Sequence, residues 1–386
     1  MVGHNRSFLS KLEELKKNNL YRDLKPTRNM GTRIGVNGRI AINFTSNDYL
    51  GLSIEPKVIT KTVDSLTYVS QCSSRLVSGN SQHLEELESE LARHRKTASS
   101  LVYTSGYCAI LGILSTILDK DTVVFSDRLN HASIIDGCRL GRSKVKIFAH
   151  QNLDHLTDLM SKVEGRKILI TEGLFSIGGD LSNLKAICKI AKDFNALTIV
   201  DDAHGDFVFG KNGSGVPSYF GVNKLVDIHI SSLSKGLGCF GGYVAVDKTI
   251  RSYLINKSRQ FIYTSALPSH LCVAALTALK IANSGNLQAR LFDNIKRMSI
   301  NIKKYGFNIG ESVSQIIPLM IGSEKIAIKF SKLLLDKGIF VQPLRYPTVE
   351  MGRAVLRISI TAAQSVHEID ACVEAIYTAG KKLKII

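Results

Sequence analysis

Short apolar runs alternate with helical patterns from residue 56 onwards, and this alternation constrains the fold more than any other feature of the chain. Amphipathic helical patterns are predicted over residues 56–69, 83–98, 106–118, 153–163 and 182–194. The apolar runs lie at residues 101–103, 122–125, 145–148, 168–170, 197–200, 228–230 and 243–246. Strands that alternate with helices form a mostly parallel sheet covered on both faces. The sequence therefore predicts an α/β fold with a mostly parallel, doubly wound sheet.

The order of the predicted helices and strands changes in the C-terminal part of the chain. A long helical pattern covers residues 268–305, and further strands and helices follow at 316–321, 323–337, 339–344, 355–360 and 366–384. This order predicts a smaller C-terminal α+β domain. We expect an N-terminal arm with a helix at 7–20 in residues 1–55, a large domain over 56–275 and a small domain over 276–386.

Composition narrows the function classes. The chain is 44% hydrophobic and 22% charged, as in globular proteins, and carries a net charge of +17. Its basic residues are dispersed rather than interleaved with aromatic residues, which argues against nucleic-acid binding, whereas the positive field would attract a polyanion such as a coenzyme A thioester. We expect no membrane segment, no signal peptide and a cytoplasmic location. Seven scattered cysteines without a Cys-x-x-Cys pair favour reduced thiols over disulfides or zinc.

Lys235 follows the apolar run at 228–230, in the segment Ser232-Leu-Ser-Lys-Gly-Leu-Gly238. A lysine on a packed strand is costly unless its charge is removed or paired. Covalent attachment to an aldehyde removes the charge, and this is how pyridoxal phosphate uses a lysine. Ser232 could then bind the phosphate. A Ser-Lys-Gly turn is also common on protein surfaces, so this motif alone does not decide the function.

Other reactive side chains follow the earlier strands, where open α/β sheets bind ligands. Ser105, Gly106 and Tyr107 open a helix after the run at 101–103, which suits either a phosphate site or an ordinary N-cap. His131 follows the run at 122–125 and suits ring stacking, proton transfer or a structural role. Ser176 lies in a glycine-rich loop after the run at 168–170.

Asp201 and His204 follow the run at 197–200. A carboxylate at the end of a buried strand suits the nitrogen of a pyridinium ring, which it keeps protonated, and His204 could reach the phenolic oxygen of that ring. Asp202 is expected to face the other way. A metal site is the alternative, but no carboxylate–histidine set elsewhere completes it. Since all these side chains follow strands, we expect them to meet at one edge of the sheet around one cofactor.

The order of these motifs resembles that of the α-oxoamine synthases, pyridoxal-phosphate enzymes of the aspartate-aminotransferase fold type. The resemblance extends from about residue 20 to about residue 375. The blocks that carry it lie at residues 46–52, 74–85, 105–107, 130–133, 171–176, 201–205, 232–235, 265–268 and 346–357.

The resemblance implies a role for each residue around the cofactor. Lys235 would bond to the aldehyde and transfer protons, and His131 would stack on the ring. Asp201 would pair with the ring nitrogen, while His204 and Ser176 would bind the phenolic oxygen. The residues implied at the phosphate side are Ser105, Gly106, Tyr107 and Ser232 of the same subunit, with Thr264 and Ser265 of the partner subunit. The resemblance therefore implies a homodimer with shared active sites.

The resemblance also implies the substrates, an amino acid and an acyl-CoA that condense with loss of carbon dioxide and coenzyme A. Arg357 would bind the amino-acid carboxylate, a group that suits a guanidinium fork, and Asn47 would lie nearby. Arg22 would contact the distal end of the acyl chain, or is a surface arginine near a helix end. Arg22, Thr348 and the 361–363 segment are most similar to the branch that joins alanine to a pimeloyl thioester in biotin synthesis.

Alternatives within and outside this chemistry stay open. Within the chemistry, the alternatives are a branch of the family that uses glycine, a branch that uses long acyl chains, and a thioester carried by a protein instead of coenzyme A. Outside it, the alternative is a basic binding protein that kept the fold without catalysis. The chain departs from the family pattern at Ser70–Ser73, Gly178, Val355 and Gln364. None of these positions belongs to the predicted cofactor set. The departures at Ser70–Ser73 and Val355 bear on which acyl chain the enzyme selects.

Overall fold

The computed structural model describes residues 2–386 as two compact units. The large unit consists of Asn47–Ser176 and Asp180–Arg290, and the small unit joins Met1–Ser46 and Ile177–Gly179 to Leu291–Ile386. Across residues 2–386, no helix combines the length and the apolar character needed to cross a membrane.

Strands and helices are numbered in chain order. The strands are β1 (Thr27–Met30), β2 (Arg33–Val36), β3 (Arg39–Asn43), β4 (Ser99–Tyr103), β5 (Val123–Asp127), β6 (Lys144–Phe148), β7 (Lys167–Glu172), β8 (Ala196–Asp201), β9 (Ile228–Ser232), β10 (Gly242–Val246), β11 (Ile316–Gly322), β12 (Ile339–Phe340), β13 (Pro343–Leu344) and β14 (Ala354–Ser359). The helices are α1 (Val2–Lys17), α2 (Pro56–Asp64), α3 (Gln82–Arg95), α4 (Gly106–Ile117), α5 (Ala132–Gly141), α6 (Leu153–Ser161), α7 (Leu184–Asp193), α8 (Val216–Tyr219), α9 (Lys248–Lys257), α10 (Arg259–Ile262), α11 (Ser269–Ala282), α12 (Asn286–Lys304), α13 (Glu324–Asp336) and α14 (Val366–Lys382).

Seven strands form one sheet in the large unit, in the order β4-β10-β9-β8-β7-β5-β6. Four neighbouring pairs, from β9 across to β6, are parallel. The predicted α/β fold with a mostly parallel sheet is confirmed. Because the parallel strands point the same way, the residues that follow them gather at one edge.

β10 differs from the expected parallel arrangement, since it runs antiparallel to both β4 and β9. Only residues 233–241 connect β9 to β10, and they contain no helix. A parallel crossover needs a dozen or more residues, usually including a helix, so this connection is too short for one. The reversal places β10 between β9 and β4, which carry the Lys235 segment and the Ser105 segment.

Alternate side chains of the central strands enter two hydrophobic cores. On β5 and β7, Val124 and Ile168 face a core shared with α4, α5, α9 and α10, whereas Phe125 and Leu169 face a core shared with α6 and α7. This is the two-residue period of a strand covered on both faces. Complete burial of one such side chain contributes roughly 1.5–3 kcal/mol.

Polar caps explain where many helices begin. A serine, asparagine or aspartate side chain at the N-cap accepts a backbone N–H of the first turn at Ser81, Ser105, Asn152, Asn183, Asp247, Ser323 and Ser365. Ser365 and Glu368 form a reciprocal capping box at the start of α14.

The small unit contains two sheets. One has the order β1-β2-β3-β12 and the other the order β11-β14-β13. The single strand predicted at 339–344 is wrong, because β12 pairs with β3 while β13 pairs with β14. Val341 and Gln342 separate the two pairings, and Pro343 has no backbone N–H to donate.

Two helix predictions also need correction, and two helices were missed. The single helix predicted at 268–305 is wrong, because α11 ends at Ala282 and α12 begins at Asn286, with Gly285 at a φ of 80°. The helix predicted at 56–69 ends at Asp64. The helices α5 and α9 were not predicted, since α5 follows the His131 loop directly and α9 is short and weakly amphipathic.

Candidate active site

The residues predicted to surround one cofactor follow β4, β5, β7, β8 and β9 of the large unit, at the carboxyl-terminal edge of its sheet. The innermost of them lie within electrostatic range of one another. The charges of Asp201 and Lys235 both act on His131, and the same two charges act on Glu172. Side chains that are more than 100 positions apart in the sequence therefore share one site.

Lys235 and His204 are in direct contact. The Nζ atom of Lys235 lies 2.9 Å from Nε2 of His204, and the other ring nitrogen of His204 lies 2.7 Å from the hydroxyl oxygen of Tyr49. His204 and Tyr49 are buried, whereas Lys235 is half-buried. The amine is thus held at the border of the packed interior, next to a group that can exchange a proton with it.

Asp201 is the last residue of β8 and is 5% exposed. Its Oδ1 atom accepts the backbone N–H of Ala203 at 3.0 Å, which fixes the carboxyl group at the start of the turn that carries His204. Asp202 faces away from this group, as expected, and its Oδ2 atom accepts from Arg95 Nη1 at 3.0 Å. The side chains of these two adjacent aspartates therefore lie in different environments.

Glu172 was not predicted as a site residue. It ends β7 at the register position of Asp201 on β8 and is 2% exposed. Its Oε2 atom accepts the N–H of Ser176 at 3.2 Å, while its Oε1 atom is buried without a hydrogen-bond partner among residues 5–386, whose side chains are described. Burial raises the pKa of Glu172 well above its ordinary value, and the charge of Asp201 raises it further against the opposing charge of Lys235.

His131 is the N-cap of α5. Its Nδ1 atom accepts the backbone N–H of Ser133 at 3.3 Å and lies 2.6 Å from the hydroxyl of that residue. Partial burial lowers the pKa of His131, with Lys235 acting in the same direction and Asp201 against it. The ring of Tyr107 stands edge-on to it, with the centroids 6.4 Å apart. A neutral, oriented imidazole whose side is partly exposed suits stacking on a flat ring.

Ser105 and Gly106 begin α4 against β9 and β10. The hydroxyl of Ser105 accepts the N–H of Cys108 at 3.1 Å. A Cβ atom on Gly106 would lie 3.1 Å from that of Ser232, and a Cβ atom on Gly242 would lie 2.3 Å from the backbone nitrogen of Gly106. Backbone therefore packs on backbone here, and the start of a 12-residue helix provides N–H groups that suit a phosphate.

Other predicted site residues have simpler surroundings. Ser232 lies 2.8 Å from the hydroxyl of Ser234, and the hydroxyl of Tyr107 donates to Asp136 at 2.5 Å. Thr264 and Ser265 follow α10 and are half-buried and exposed, respectively. Their predicted contact with a partner subunit stays a prediction.

The small unit contains the remaining predicted substrate residues. Arg22 donates to the carbonyl of Tyr346 at 3.1 Å, and Arg357 donates to the hydroxyl of Ser359 at 2.9 Å. Thr348 is exposed. Asn47 belongs instead to the large unit, where its Oδ1 atom accepts from the hydroxyl of Tyr49 at 3.1 Å. The substrate roles of all four residues stay predictions.

Arg95 is the centre of a buried cluster of charged side chains in the large unit. Arg95 is 1% exposed, and its Nη1 atom lies 3.0 Å from carboxylate oxygens of both Asp202 and Asp206. Its Nη2 atom lies 3.0 Å from Nδ1 of His229. Burial raises the pKa of Asp202 to about 7 despite the charge of Arg95, whereas for Asp206 the charges of Arg95 and His94 outweigh burial and lower the pKa.

The sequence carried weak signals for these unpredicted residues. Glu172 stands between Thr171 and Gly173 in a motif notable mainly for its hydroxyl groups, and Tyr49 lies in the 46–52 block. Arg95 belongs to a predicted helix whose charged residues suit a solvated face. In residues 5–386, where side chains are described, no cluster of three or more His, Cys, Asp or Glu residues could hold a metal ion.

Comparison with known proteins identifies the family. Residues 39–376 match the family model for class I and II aminotransferases. The chain is 38% identical over 391 residues to 8-amino-7-oxononanoate synthase from Thermoanaerobacter pseudethanolicus, with 99% of each chain covered.

Solved structures are similar over most of the chain. A serine palmitoyltransferase variant from S. paucimobilis, with pyridoxal phosphate bound as a myriocin aldimine, has a TM-score of 0.93 at 27% identity over 98% of both chains. An 8-amino-7-oxononanoate synthase from Francisella tularensis has a TM-score of 0.77 at 30% identity, with 90% of this chain and 99% of that chain covered. The predicted resemblance is confirmed, and the chain belongs to the class I and II aminotransferase family and, within it, to the pyridoxal-phosphate-dependent α-oxoamine synthases.

Proposed function

We propose that this enzyme condenses a small amino acid with an acyl-CoA thioester and releases carbon dioxide and coenzyme A. L-Alanine and pimeloyl-CoA are the favoured pair, and their product is 8-amino-7-oxononanoate, an intermediate of biotin synthesis. The observation that carries the proposal is the 2.9 Å contact between Lys235 and His204 at the edge that also holds Asp201. The full-length identity to proteins named for this reaction supports the choice of substrates.

The side chains at this edge fit pyridoxal phosphate. The start of α4 suits the phosphate, since the first N–H groups of a helix have no partner within the helix, and a side chain on Gly242 would crowd the backbone of Gly106. Two carboxyl groups end neighbouring strands, and the Oε1 atom of Glu172 is buried without a hydrogen-bond partner within residues 5–386. A cationic ring nitrogen would complement such a pair.

Each residue then has a defined task. When bound, the cofactor supplies an aldehyde for amines and a ring that accepts electrons. Lys235 would hold the aldehyde and move the proton of the amino-acid α-carbon, and His204 would bind the phenolic oxygen of the ring with help from Ser176. Asp201 would keep the ring nitrogen protonated, and His131 would cover one face of the ring against water. Cofactor contacts are also proposed for Ser105, Gly106, Tyr107, Ser176 and Ser232.

Four further residues would bind the substrates. Arg357 would pair with the amino-acid carboxylate through its guanidinium fork, with Asn47 as a further contact of the amino acid. Arg22 and Thr348 would contact the acyl chain. The predicted domain organisation, with a cofactor-binding domain at 56–275 and a small domain at 276–386, is part of this proposal. The net charge of +17 would attract the phosphates of coenzyme A.

The active enzyme would be a homodimer in which Thr264 and Ser265 reach the cofactor phosphate of the partner subunit. The nearby surface supports this, because Tyr263 is 72% exposed and Val77 is 80% exposed. The 73–79 segment lies beside residue 266 through the hydrogen bond from the N–H of Ala266 to the carbonyl of Ser73 at 2.8 Å. Large apolar side chains that are exposed together are typical of an interface.

The deciding experiment measures coenzyme A release from acyl-CoAs of increasing length, with alanine, glycine and serine in parallel. The proposal predicts release with alanine and pimeloyl-CoA, and none from the Lys235→Ala variant. Undiminished turnover by Lys235→Ala would exclude the mechanism. A response to glycine with acetyl-CoA alone would instead favour glycine C-acetyltransferase, the second candidate in this family, and a preference for long chains would favour the long-chain branch.

A mixing experiment tests the shared site. Lys235→Ala and the double variant Thr264→Ala/Ser265→Ala are each expected to be impaired. If the two sets of residues serve one site from different subunits, mixed dimers contain one intact site and regain activity. Failure to regain activity, with mixed dimers demonstrated by differential tags, would argue that the sites are not shared.

A further inference from the structure

His150 is a half-buried histidine that the proposed function does not use. It lies in the loop between β6 and α6, and its side chain is 22% exposed. Its Nδ1 atom lies 2.9 Å from Oδ1 of Asp127, and its Nε2 atom lies 3.0 Å from Oδ2 of Asp180. Asp127 ends β5, whereas Asp180 belongs to the loop that follows β7. Because β5 lies between β7 and β6 in the sheet, His150 reaches across the end of β5 and joins two neighbouring loops.

The first of these loops connects β5 to α5 and carries His131, the N-cap of α5. Only residues 128–130 separate His131 from Asp127. The backbone N–H of Asn130 donates to the carbonyl of Asp127 at 3.1 Å, and the side chain of Asn130 accepts the N–H of Glu172 at 3.1 Å. This loop is therefore tied to β7 at Asn130 and to His150 at its first residue.

The second loop follows β7 and carries Ser176. The backbone N–H of Phe175 donates to the carbonyl of Asp180 at 3.0 Å, so these two residues face each other across the loop. The ring of Phe175 stands edge-on to that of His150, with the centroids 4.5 Å apart. His150 thus contacts this loop at both Asp180 and Phe175, the residue directly before Ser176.

The two contacts with aspartates require a charged imidazole. Ionised carboxylates only accept hydrogen bonds, so each ring nitrogen of His150 has to donate a proton. A neutral imidazole has one N–H and can hold one loop, whereas an imidazolium has two and holds both. Burial lowers the pKa of His150, but the hydrogen bonds and charges of Asp127 and Asp180 outweigh it and raise the pKa to about 9. The neighbouring Gln151, which also donates to both aspartates, is uncharged.

We propose that His150 is a positioning residue, a charged clamp between the loop that carries His131 and the loop that carries Ser176. The proposed function assigns these loops two different contacts with pyridoxal phosphate, one on the ring face and one at the phenolic oxygen. A clamp that fixes both loops sets the spacing of the two contacts before the cofactor arrives. This role toward the cofactor rests on the proposed function, whereas the tie between the loops does not.

The first measurement is hydrogen–deuterium exchange of the full-length protein, followed by mass spectrometry, without cofactor and then with pyridoxal phosphate. In His150→Gln, the amides of residues 128–133 and 173–182 should both exchange several-fold faster than in the wild type, since glutamine has no charge with which to hold two carboxylates. His155→Gln is the control, because the ring of His155 binds the backbone N–H of Ala149 instead of a second loop. Faster exchange in only one of the two segments would overturn the proposal.

The second measurement is titration with pyridoxal phosphate, followed by its absorbance, at pH values below and above 9, the pKa of His150. Below this pH, His150→Gln should bind the cofactor about fivefold more weakly than the wild type, a part of what a hydrogen bond to a charged group contributes. The ratio of the two Kd values should approach one above this pH, because the wild-type imidazole loses its charge there. A ratio that stays constant across the pH range would contradict a charged clamp.

A second variant, Asp180→Asn, covers the case in which His150→Gln does not fold. It keeps the shape of the side chain but removes its charge, so it should also weaken cofactor binding and speed exchange in residues 173–182. Because both substitutions break the same clamp, the double variant should bind no more weakly than the poorer single variant. Additive losses would show that His150 and Asp180 act separately and would overturn the proposal.

Failure of this role and failure of the proposed function give different results. If the wild type bound no pyridoxal phosphate while His150→Gln released both segments, the proposed function would fail and the tie between the loops would stand. If the wild type bound the cofactor and released coenzyme A, and His150→Gln kept the wild-type Kd, only the role of His150 would fail.

Discussion

Glu172 and Asp201 occupy the same register position at the ends of two neighbouring parallel strands, so that two carboxyl groups are buried side by side. Burial and the neighbouring carboxylate both disfavour a charge on Glu172, and its pKa is raised well above the ordinary value. Glu172 therefore keeps its proton to a higher pH than an exposed glutamate does. The pair provides one carboxyl group that stays neutral beside one that serves the ring nitrogen in the proposed function.

Glu172→Gln should stabilise the protein relative to the wild type as the pH rises above 4.5, the ordinary pKa of this side chain. The folded state of the wild type holds the proton of Glu172 more tightly than the unfolded state, so its stability falls as the pH rises from 4.5 toward the raised pKa. Glutamine keeps the shape of the neutral acid and cannot ionise. Urea denaturation of cofactor-free protein at several pH values measures the difference. The exposed Glu164→Gln is the control, and parallel pH curves for Glu172→Gln and the wild type would contradict this assignment.

His150→Gln should remove a pH-dependent part of the stability. The two ring nitrogens of His150 lie 2.9 Å from Asp127 and 3.0 Å from Asp180. Burial lowers the pKa of His150, but the hydrogen bonds to the two carboxylates outweigh it and raise the pKa to about 9. Because the folded pKa is raised, the stabilisation is complete below 6.5 and is lost as the pH rises through 9.

At pH values below 6.5, the loss in His150→Gln should be about 1.5 kcal/mol, the lower end for hydrogen bonds to charged groups, because the side chain is partly exposed. Denaturant unfolding across this pH range measures it. His155→Gln is the control, since Nδ1 of His155 accepts the backbone N–H of Ala149. An equal loss of stability below pH 6.5 and above pH 9 would show that His150 is uncharged in the folded protein.

Arg95→Met should destabilise the large unit by about 3–5 kcal/mol, because it removes the guanidinium that lies 3.0 Å from the buried carboxylates of both Asp202 and Asp206. Asp202→Asn in the same chain should restore part of this loss by removing one unpaired charge. Calorimetric melting or urea denaturation gives the values. Lys162→Ala, which breaks the exposed pair with Asp158, should change the stability little. An equally small effect of Arg95→Met would mean that water reaches the cluster.

Gly242→Ala should weaken the binding of pyridoxal phosphate by at least about tenfold, the equivalent of about 1.4 kcal/mol. The added Cβ atom would lie 2.3 Å from the backbone nitrogen of Gly106, so the start of α4 has to move. Titration followed by cofactor absorbance measures the affinity. Gly35→Ala is the control, because its Cβ atom would have ordinary contacts, the nearest at 3.5 Å. Unchanged affinity in Gly242→Ala would mean that the start of α4 does not hold the phosphate.

The fold and the positions of the site residues were predictable to the extent that local patterns determine them. Lys235 and Asp201 come after buried strands, and parallel strands bring the residues at their carboxyl ends to one edge, so the sheet pattern alone places these two together. The role of Glu172 depends on the register between β7 and β8, which no local pattern reveals. Tyr49 and His204 are 155 positions apart, and only the folded loop brings them into contact. Arg95 shows the same limit, because a charged residue on a helix predicts exposure unless its buried partners are known.

The antiparallel strand β10 has a consequence for synthesis on the ribosome. β4 lies at the border of its sheet and its hydrogen-bonded neighbour there is β10, so residues 99–103 emerge long before residues 242–246 can pair with them. During this interval β4 lacks its hydrogen-bonding neighbour in the nascent chain, and an unpaired edge strand is a known site of misassociation. The start of α4 is also unsupported until Gly242 arrives. In the proposed function, the phosphate side of the cofactor site is therefore complete only after residue 242 has left the exit tunnel.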